Sequence, residues 1–372
     1  MSAVTVRTVE SRADLDRFVR LPFRLYRDDP NWVPPLIADA KNALTPGKGP
    51  FWTHAVRELH LAERGGEPVG RIAAICDHNY NEYHASTIAF WGFFESVDDP
   101  AVARALFDAA ADFSRRQQCT MLYGPANPSM NDEAGLLIDP FDSPPVIRMS
   151  YNPPTYPRLV EACGFTKVKD LFAYLIDTAA PVPDKLQRVM AKLKEKPGLE
   201  VRPIDLSRVK RELGYIKEVY NDAWSRNWDF APMTDEELDD LARQLKPLVE
   251  PSLCPFVFYK GEIAGVCVAL PDYNLILKHL NGSLFPLGWA KFLSMRKKID
   301  QARLWALGVK RKFHNLGFDS LLYYESFMGA RKLGYKRGEV SWILEDNVCI
   351  IRPIQMWGGR VYKTYRVYQR PV

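Results

Sequence analysis

The run Val309-Lys310-Arg311-Lys312-Phe313-His314-Asn315-Leu316-Gly317-Phe318-Asp319-Ser320 holds the residue types and spacing best suited to chemistry. The apolar residues before it predict a strand over Arg303–Val309, and those after it a helix over Phe318–Leu333. A basic loop joins them. A helix N-terminus presents unbonded N–H groups and the positive end of the helix dipole, which suits phosphate oxygens. Lys310, Arg311 and Lys312 add charge at that mouth. The expected chemistry is the holding of a phosphate group. The same residues also fit a solvated basic loop whose helix is capped by Asp319 or Ser320.

The elements that must position this loop recur along the chain. Gly66-Glu67-Pro68-Val69-Gly70 followed by Asp77-His78-Asn79 is echoed 195 residues later by Gly261-Glu262-Ile263-Ala264-Gly265 followed by Asp272-Tyr273-Asn274. Val6-Arg7 and Val201-Arg202 share the offset, as do Gly164 and Gly359, while Asn31-Trp32 and Asn227-Trp228 miss it by one. The chain therefore reads as two copies of one fold, and its 372 residues suit two ordinary domains. Each copy follows the order β-α-α-β-β-β-α-β-α-β. The expected fold class is α/β, an α+β mixed sheet with helices on both faces. The expected domains are 1–180, a basic connector 181–198 that carries a helix over Lys185–Lys194, and 199–372. Hairpins are expected over Glu58–Cys76 and Phe256–Leu270, turning on Gly65-Gly66 and Gly261, with a helix over Asp235–Leu245.

A net charge of +5 does not suggest a nucleic-acid partner. The six cysteines are scattered without a C-x-x-C pair, and the six histidines show no ligand spacing. Reduced core thiols and no metal are expected. The start is unlike a signal peptide, and no apolar run approaches 18 residues. A cytoplasmic protein is expected.

The order of elements in the second copy resembles the GNAT superfamily of acyl-CoA-dependent N-acyltransferases. That family's pyrophosphate loop, Val-x-x-x-x-Arg/Gln-x-x-Gly-x-Gly/Ala, corresponds here to Val309, His314, Gly317 and Asp319; the first and third positions match, and His314 and Asp319 depart from the pattern. The resemblance implies acyl-CoA as a co-substrate, with no permanently bound cofactor. Leu307, Val309, Lys310, Arg311, His314, Asn315, Gly317, Phe318, Asp319 and Ser320 would hold it, with backbone groups of the strand before the loop polarising the thioester carbonyl. Asn347 falls where the family uses an asparagine for the cofactor arm. Ile354 stands where a thiolate-protonating tyrosine is usual, and Tyr362 or Tyr365 on the last strand is the substitute. Glu345, at the end of the preceding strand, is the candidate base; it equally fits a helix cap. The first copy lacks the phosphate loop, and Glu95, Asp98 and Asp99 would repel a pyrophosphate there.

A narrower resemblance covers nearly the whole chain. It rests on Pro22-Phe23-Arg24-Leu25-Tyr26 with Asn31-Trp32-Val33-Pro34-Pro35-Leu36, on Gly124-Pro125-Ala126-Asn127-Pro128-Ser129-Met130-Asn131-Asp132-Glu133, on Phe141-Asp142-Ser143-Pro144-Pro145, and on Asn227-Trp228-Asp229-Phe230-Ala231-Pro232. These segments resemble the tandem GNAT-like bacterial family that includes bacterial ceramide synthase. That implies transfer of a fatty acyl group from long-chain acyl-CoA to the amine of a sphingoid base, 3-ketosphinganine or sphinganine. The partners would be acyl-CoA, a long-chain amine lipid and the inner membrane surface. Two other functions stay open: a GNAT N-acetyltransferase for a small polar amine, and a non-catalytic acyl-CoA-binding protein.

The second copy also carries an insertion, Leu275–Lys298, which is apolar with interspersed basic residues. It reads as an interfacial segment or the lid of an acyl groove, while Trp289, Phe292 and Met295 at helical spacing equally fit a core face. The polar loop Pro125–Pro145 is long enough to suggest function, or it satisfies its own backbone.

Overall fold

The computed structural model describes residues 3–225 and 227–372. Its strands are β1 (Val4–Thr8), β2 (Ala55–Arg64), β3 (Glu67–Asp77), β4 (Ile88–Ser96), β5 (Met121–Gly124), β6 (Ala126–Asn127), β7 (Glu133–Ala134), β8 (Leu136–Asp139), β9 (Thr166–Asp177), β10 (Leu199–Pro203), β11 (Pro255–Tyr259), β12 (Glu262–Pro271), β13 (Gln301–Val309), β14 (Arg337–Leu344) and β15 (Arg360–Pro371). Its helices are α1 (Arg12–Leu25), α2 (Ile37–Ala43), α3 (His78–His84), α4 (Pro100–Arg116), α5 (Tyr156–Ala162), α6 (Asp184–Lys194), α7 (Val209–Ala223), α8 (Asp235–Leu245), α9 (Asn274–Leu277), α10 (Gly288–Met295), α11 (Phe318–Lys332) and α12 (Val348–Met356). The mixed α/β class matches the sequence reading.

Contacts divide the chain into two units. The first comprises Met1–Leu171, Asn274–Arg296 and Lys363–Val372; the second comprises Phe172–Tyr273 and Lys297–Tyr362.

In the first unit the strands run β1-β2-β3-β4-β5-β15, and β8 also pairs with β15. The sheet is thus completed by the last strand of the chain, with Tyr368 opposite Gly124 and Pro371 opposite Met121. The β2–β3 hairpin turns on Gly65 and Gly66, at φ +60° and +83°, where a glycine escapes the Cβ penalty. Helix α4 starts where Asp99 accepts the Ala101 N–H and Pro100 takes the first helical turn. Its spacing of Val102, Ala103, Leu106, Phe107, Ala110 and Ala111 puts one apolar face into the core, against Ile72, Ala74, Trp91 and Phe165.

In the second unit the strands run β14-β13-β12-β11-β10, with β9 beside β14. The β11–β12 hairpin turns on Gly261 at φ +80°. On one face Val219 of α7 packs with Phe256, Phe258, Ile263 and Val266. On the other, α11 contributes Phe318, Leu321 and Leu322 against Val257, Ala264 and Cys267, and Tyr323 meets Val340, Ile343 and Ile354. Helix α8 begins at the Thr234–Glu237 capping box.

Candidate functional site

Strands β13 and β14 are parallel, but their pairing stops early. The register runs from Gln301 opposite Arg337 to Leu304 opposite Val340. Beyond that, β13 continues for five residues and β14 for four without facing each other. Trp305 is the cause on the β13 side: Ala269 faces Leu304 and Val268 faces Ala306, so Trp305 is an extra residue in the ladder. A bulge of this kind bends a strand and breaks pairing. The result is a wedge whose vertex lies at Leu304–Val340 and whose mouth lies at the C-terminal ends of both strands. Residues Leu304–Leu307 along it are half-buried.

The loop predicted to hold phosphate sits at the mouth. Gly317 precedes α11 at φ +79°, and no side chain caps the helix. Neither Asp319 nor Ser320 serves as a cap; both are half-buried in its first turn. Phe318 is buried against Tyr259. His314 Nε2 lies 3.0 Å from the Val309 carbonyl, which closes the loop back on the strand. Asn315 is exposed, with φ +63°. Asn347 and Glu345 follow β14 and so reach the same end of the sheet. Asn347 starts α12 without capping it through its side chain, and Glu345 is half-buried in the turn.

The three basic residues differ in kind. Lys310 is only 4% exposed, and its ammonium is held by Glu218 and by Glu262. Burial alone would lower its pKa; the two carboxylates override that and hold it above its ordinary value. Lys312 bonds Glu262 at 2.6 Å, and the Arg311 N–H and guanidinium face Asp222. Arg311 and Lys312 are exposed and able to turn to an anion. Lys310 shapes the loop from within.

At the vertex lies a buried polar cluster that motif spacing does not pick out. Arg303 and Glu339 face each other across the parallel pair, and both are under 3% exposed. Ser341 Oγ and Tyr362 Oη both donate to the Glu339 carboxylate. Arg303 Nε donates to Ser341 Oγ at 3.0 Å, and its guanidinium stacks over Trp342 at 5.1 Å. The sequence signal is a pair of charged residues inside otherwise apolar strands, the informative exception to apolar burial. Tyr362 is therefore placed at the vertex by Glu339. Tyr365 is fully buried in the first unit, opposite Leu137 on β8.

A small apolar cavity lies at the same level. Leu304, Val340 and Glu339 form its sheet side, and Tyr323, Phe327 and Ala330 of α11 its roof.

The first unit repeats the wedge and fills it. Strand β4 pairs with β5 only from Ile88–Met121 to Phe90–Tyr123. Two residues, Phe93 and Phe94, then oppose one on β3, with Phe93 at φ +49°. The chain leaving β5 turns into this space. Asn127 Oδ1 accepts the Phe93 N–H at 2.6 Å, and a Cβ on Gly92 would lie 1.9 Å from the Ala126 carbonyl oxygen. The acidic residues expected to repel a pyrophosphate are otherwise engaged. Glu95 is buried and accepts from Tyr26 and Tyr156 at 2.7 and 2.8 Å, Asp98 pairs with Arg158, and Asp99 caps α4.

Known proteins share this architecture. No protein-family profile matches the chain. It is 40% identical to the bacterial ceramide synthase of Caulobacter vibrioides, over 99% of this chain and 97% of that protein. It is 33% identical to protein YghO of Escherichia coli, over 99% and 95% of the two. A tandem GNAT protein from the clavulanic acid biosynthesis pathway superposes with a TM-score of 0.61 at 13% identity, covering 99% of this chain and 98% of that one. A GCN5-related N-acetyltransferase from Sphaerobacter thermophilus gives 0.56 at 14%, covering 99% and 95%. The chain is an acyltransferase built on two tandem GNAT folds. It belongs to the family of the bacterial ceramide synthase. Among the described residues no helix is long and apolar enough to cross a membrane.

Proposed function

We propose that the second unit transfers a fatty acyl group from long-chain acyl-CoA to the amine of a sphingoid base, at the cytoplasmic face of the inner membrane. The observation that carries this reading is the open β13–β14 wedge with an apolar cavity at its vertex, in a chain 40% identical to a ceramide synthase. The pyrophosphate would lie at the uncapped start of α11, near Gly317, Phe318, Asp319 and Ser320, with Arg311, Lys312, His314 and Asn315 around it. The pantetheine arm would run down the wedge beside Val309 and Leu307, with Asn347 across from them. On this reading the thioester would lie at the vertex and the acyl chain would start at the small cavity there. The first unit would bind no acyl-CoA, because its own chain occupies the equivalent space.

The amine attacks the thioester carbonyl, and backbone N–H groups near the Trp305 bulge stabilise the oxyanion. The proton leaving nitrogen passes to Tyr362 Oη as the tyrosine proton passes to Glu339. Collapse expels the CoA thiolate, which takes the proton back from Tyr362 as Glu339 returns its own. The products are amide and CoA thiol, and the enzyme is unchanged. Glu345 is the rival base. It stands at the mouth, in the turn just past β14 and six residues on from Glu339, roughly 20 Å away by strand rise, on the pyrophosphate side of the arm.

Purified protein offered acetyl-, octanoyl- and palmitoyl-CoA, with and without a sphingoid base, tests the reading through thiol release and product mass. Release that needs both a long acyl-CoA and the base, with an amide product, is expected. Release with acetyl-CoA and small amines alone would overturn it.

A further inference from the structure

Residues 274–299 contain Lys278, Lys291, Arg296, Lys297 and Lys298 and no Asp or Glu. The chain's entire net charge of +5 is therefore carried here, and the remainder is neutral. The same segment exposes apolar side chains. Phe285 is 79% exposed, Leu287 75%, Trp289 53% and Leu293 59%, four large side chains within nine residues. Other exposed large apolar residues, such as Val56, Tyr83 and Val189, are scattered singly.

The segment is a built protrusion. Its base is packed: Ile276 and Leu280 are buried, Asn274 Nδ2 donates to the Pro145 carbonyl at 2.9 Å, and the Ile37 N–H donates to the Gly282 carbonyl at 3.0 Å. Gly282 also lies against the Phe23 ring, where a Cβ would come within 2.7 Å. Its tip is held by local bonds, with the Trp289 N–H on the Leu284 carbonyl and Lys291 Nζ on the His279 carbonyl, at 2.9 and 3.0 Å. Anchoring at the base and exposure at the tip fix the apolar residues outward.

We propose that Phe285, Leu287, Trp289 and Leu293 insert into the interfacial region of an anionic phospholipid membrane, with Lys291, Arg296, Lys297 and Lys298 engaging its headgroups. Apolar side chains ringed by cations and free of acids match such a surface, whereas a neutral protein partner would leave the one-signed charge unexplained. The inference rests on the reading of a lipid acceptor at the inner membrane for its purpose, and on exposure and charge for its substance.

Flotation of the full chain with vesicles tests it. Binding to vesicles of equal parts phosphatidylcholine and phosphatidylglycerol is expected, weakening with salt and absent with phosphatidylcholine alone. Replacing Phe285, Leu287, Trp289 and Leu293 together by Ser should cut partitioning by about tenfold or more. Arg296→Gln with Lys297→Gln should cut it about fivefold per charge. Both variants should keep the wild-type melting temperature, and both should keep turnover on detergent-dispersed substrate. Wild-type protein that fails to float at low salt, or variants that float as well as wild type, would overturn the proposal. Floating without acylation of any amine would instead count against the proposed reaction and leave the docking surface standing.

Discussion

The backbone N–H of Phe93 is bonded to the side chain of Asn127 at 2.6 Å, so the first unit satisfies internally the position that the second leaves open. The sequence explains the difference. After β5 the chain runs Gly124-Pro125-Ala126-Asn127 straight into the wedge, whereas after β14 the turn at Glu345 leads directly into α12. Asn127→Ala should cost about 1 kcal/mol, the usual net worth of one hydrogen bond at a half-buried position. Gly92→Ala should cost more, since its Cβ would meet the Ala126 carbonyl at 1.9 Å. Calorimetric titration of wild type with a non-hydrolysable acyl-CoA should saturate at one equivalent per chain; two equivalents would contradict the plug.

Lys310 should behave as a structural cation. Lys310→Glu sets a third carboxylate against Glu218 and Glu262 and should cost about 3–5 kcal/mol, while Lys310→Met should cost about 1 kcal/mol, because both partners can turn to water. Its pKa is raised in the folded state. The stability it adds is thus fully present below about 10.5 and is lost as pH rises through the higher folded value. Melting curves should show wild type losing its advantage over Lys310→Met on that alkaline side. Arg311→Glu and Lys312→Glu should leave stability alone and weaken acyl-CoA binding in a salt-dependent way.

The sequence carries some of these features and conceals others. Helix α8 is legible to the residue because Thr234 and Glu237 form a local capping box, and both hairpins because their glycines mark the turns. Helix α3 escapes notice, since His78–His84 has no apolar period, although Asp77 caps it. The loop Val309–Ser320 is visible as a basic run, but the burial of Lys310 depends on α7 and β12, distant in sequence. The plug and the Glu339–Tyr362 pair are likewise contacts between remote segments. The insertion leaves core and interface equally open in sequence; its exposure settles that Trp289 faces solvent.

Tyr362→Phe should lower kcat by about 10²–10⁴-fold with little change in KM for acyl-CoA, as loss of a proton-transfer group predicts. Glu339→Gln keeps the shape and an acceptor for Tyr362 Oη but removes the charge. It should lower kcat. Glu345→Gln should have a much smaller effect on kcat. The opposite order, with Glu345→Gln severe and Tyr362→Phe mild, would return the base to the mouth of the wedge.

The cavity at the vertex should set the acyl length. Ala302 and Ala330 line it and are nearly buried, at 5% and 6% exposure, so a larger side chain at either position projects into the space the chain would fill. Ala302→Phe should lower kcat/KM for palmitoyl-CoA by about 100-fold relative to acetyl-CoA, a discrimination within reach of apolar pockets. Val340→Ala should move the preference the other way by enlarging the space. Overpacking alone costs about 1–3 kcal/mol, and its effect would fall on all acyl-CoAs alike. The ratio across chain lengths therefore separates pocket filling from damage to the fold. An unchanged ratio in a stably folded Ala302→Phe variant would mean that the acyl chain lies elsewhere.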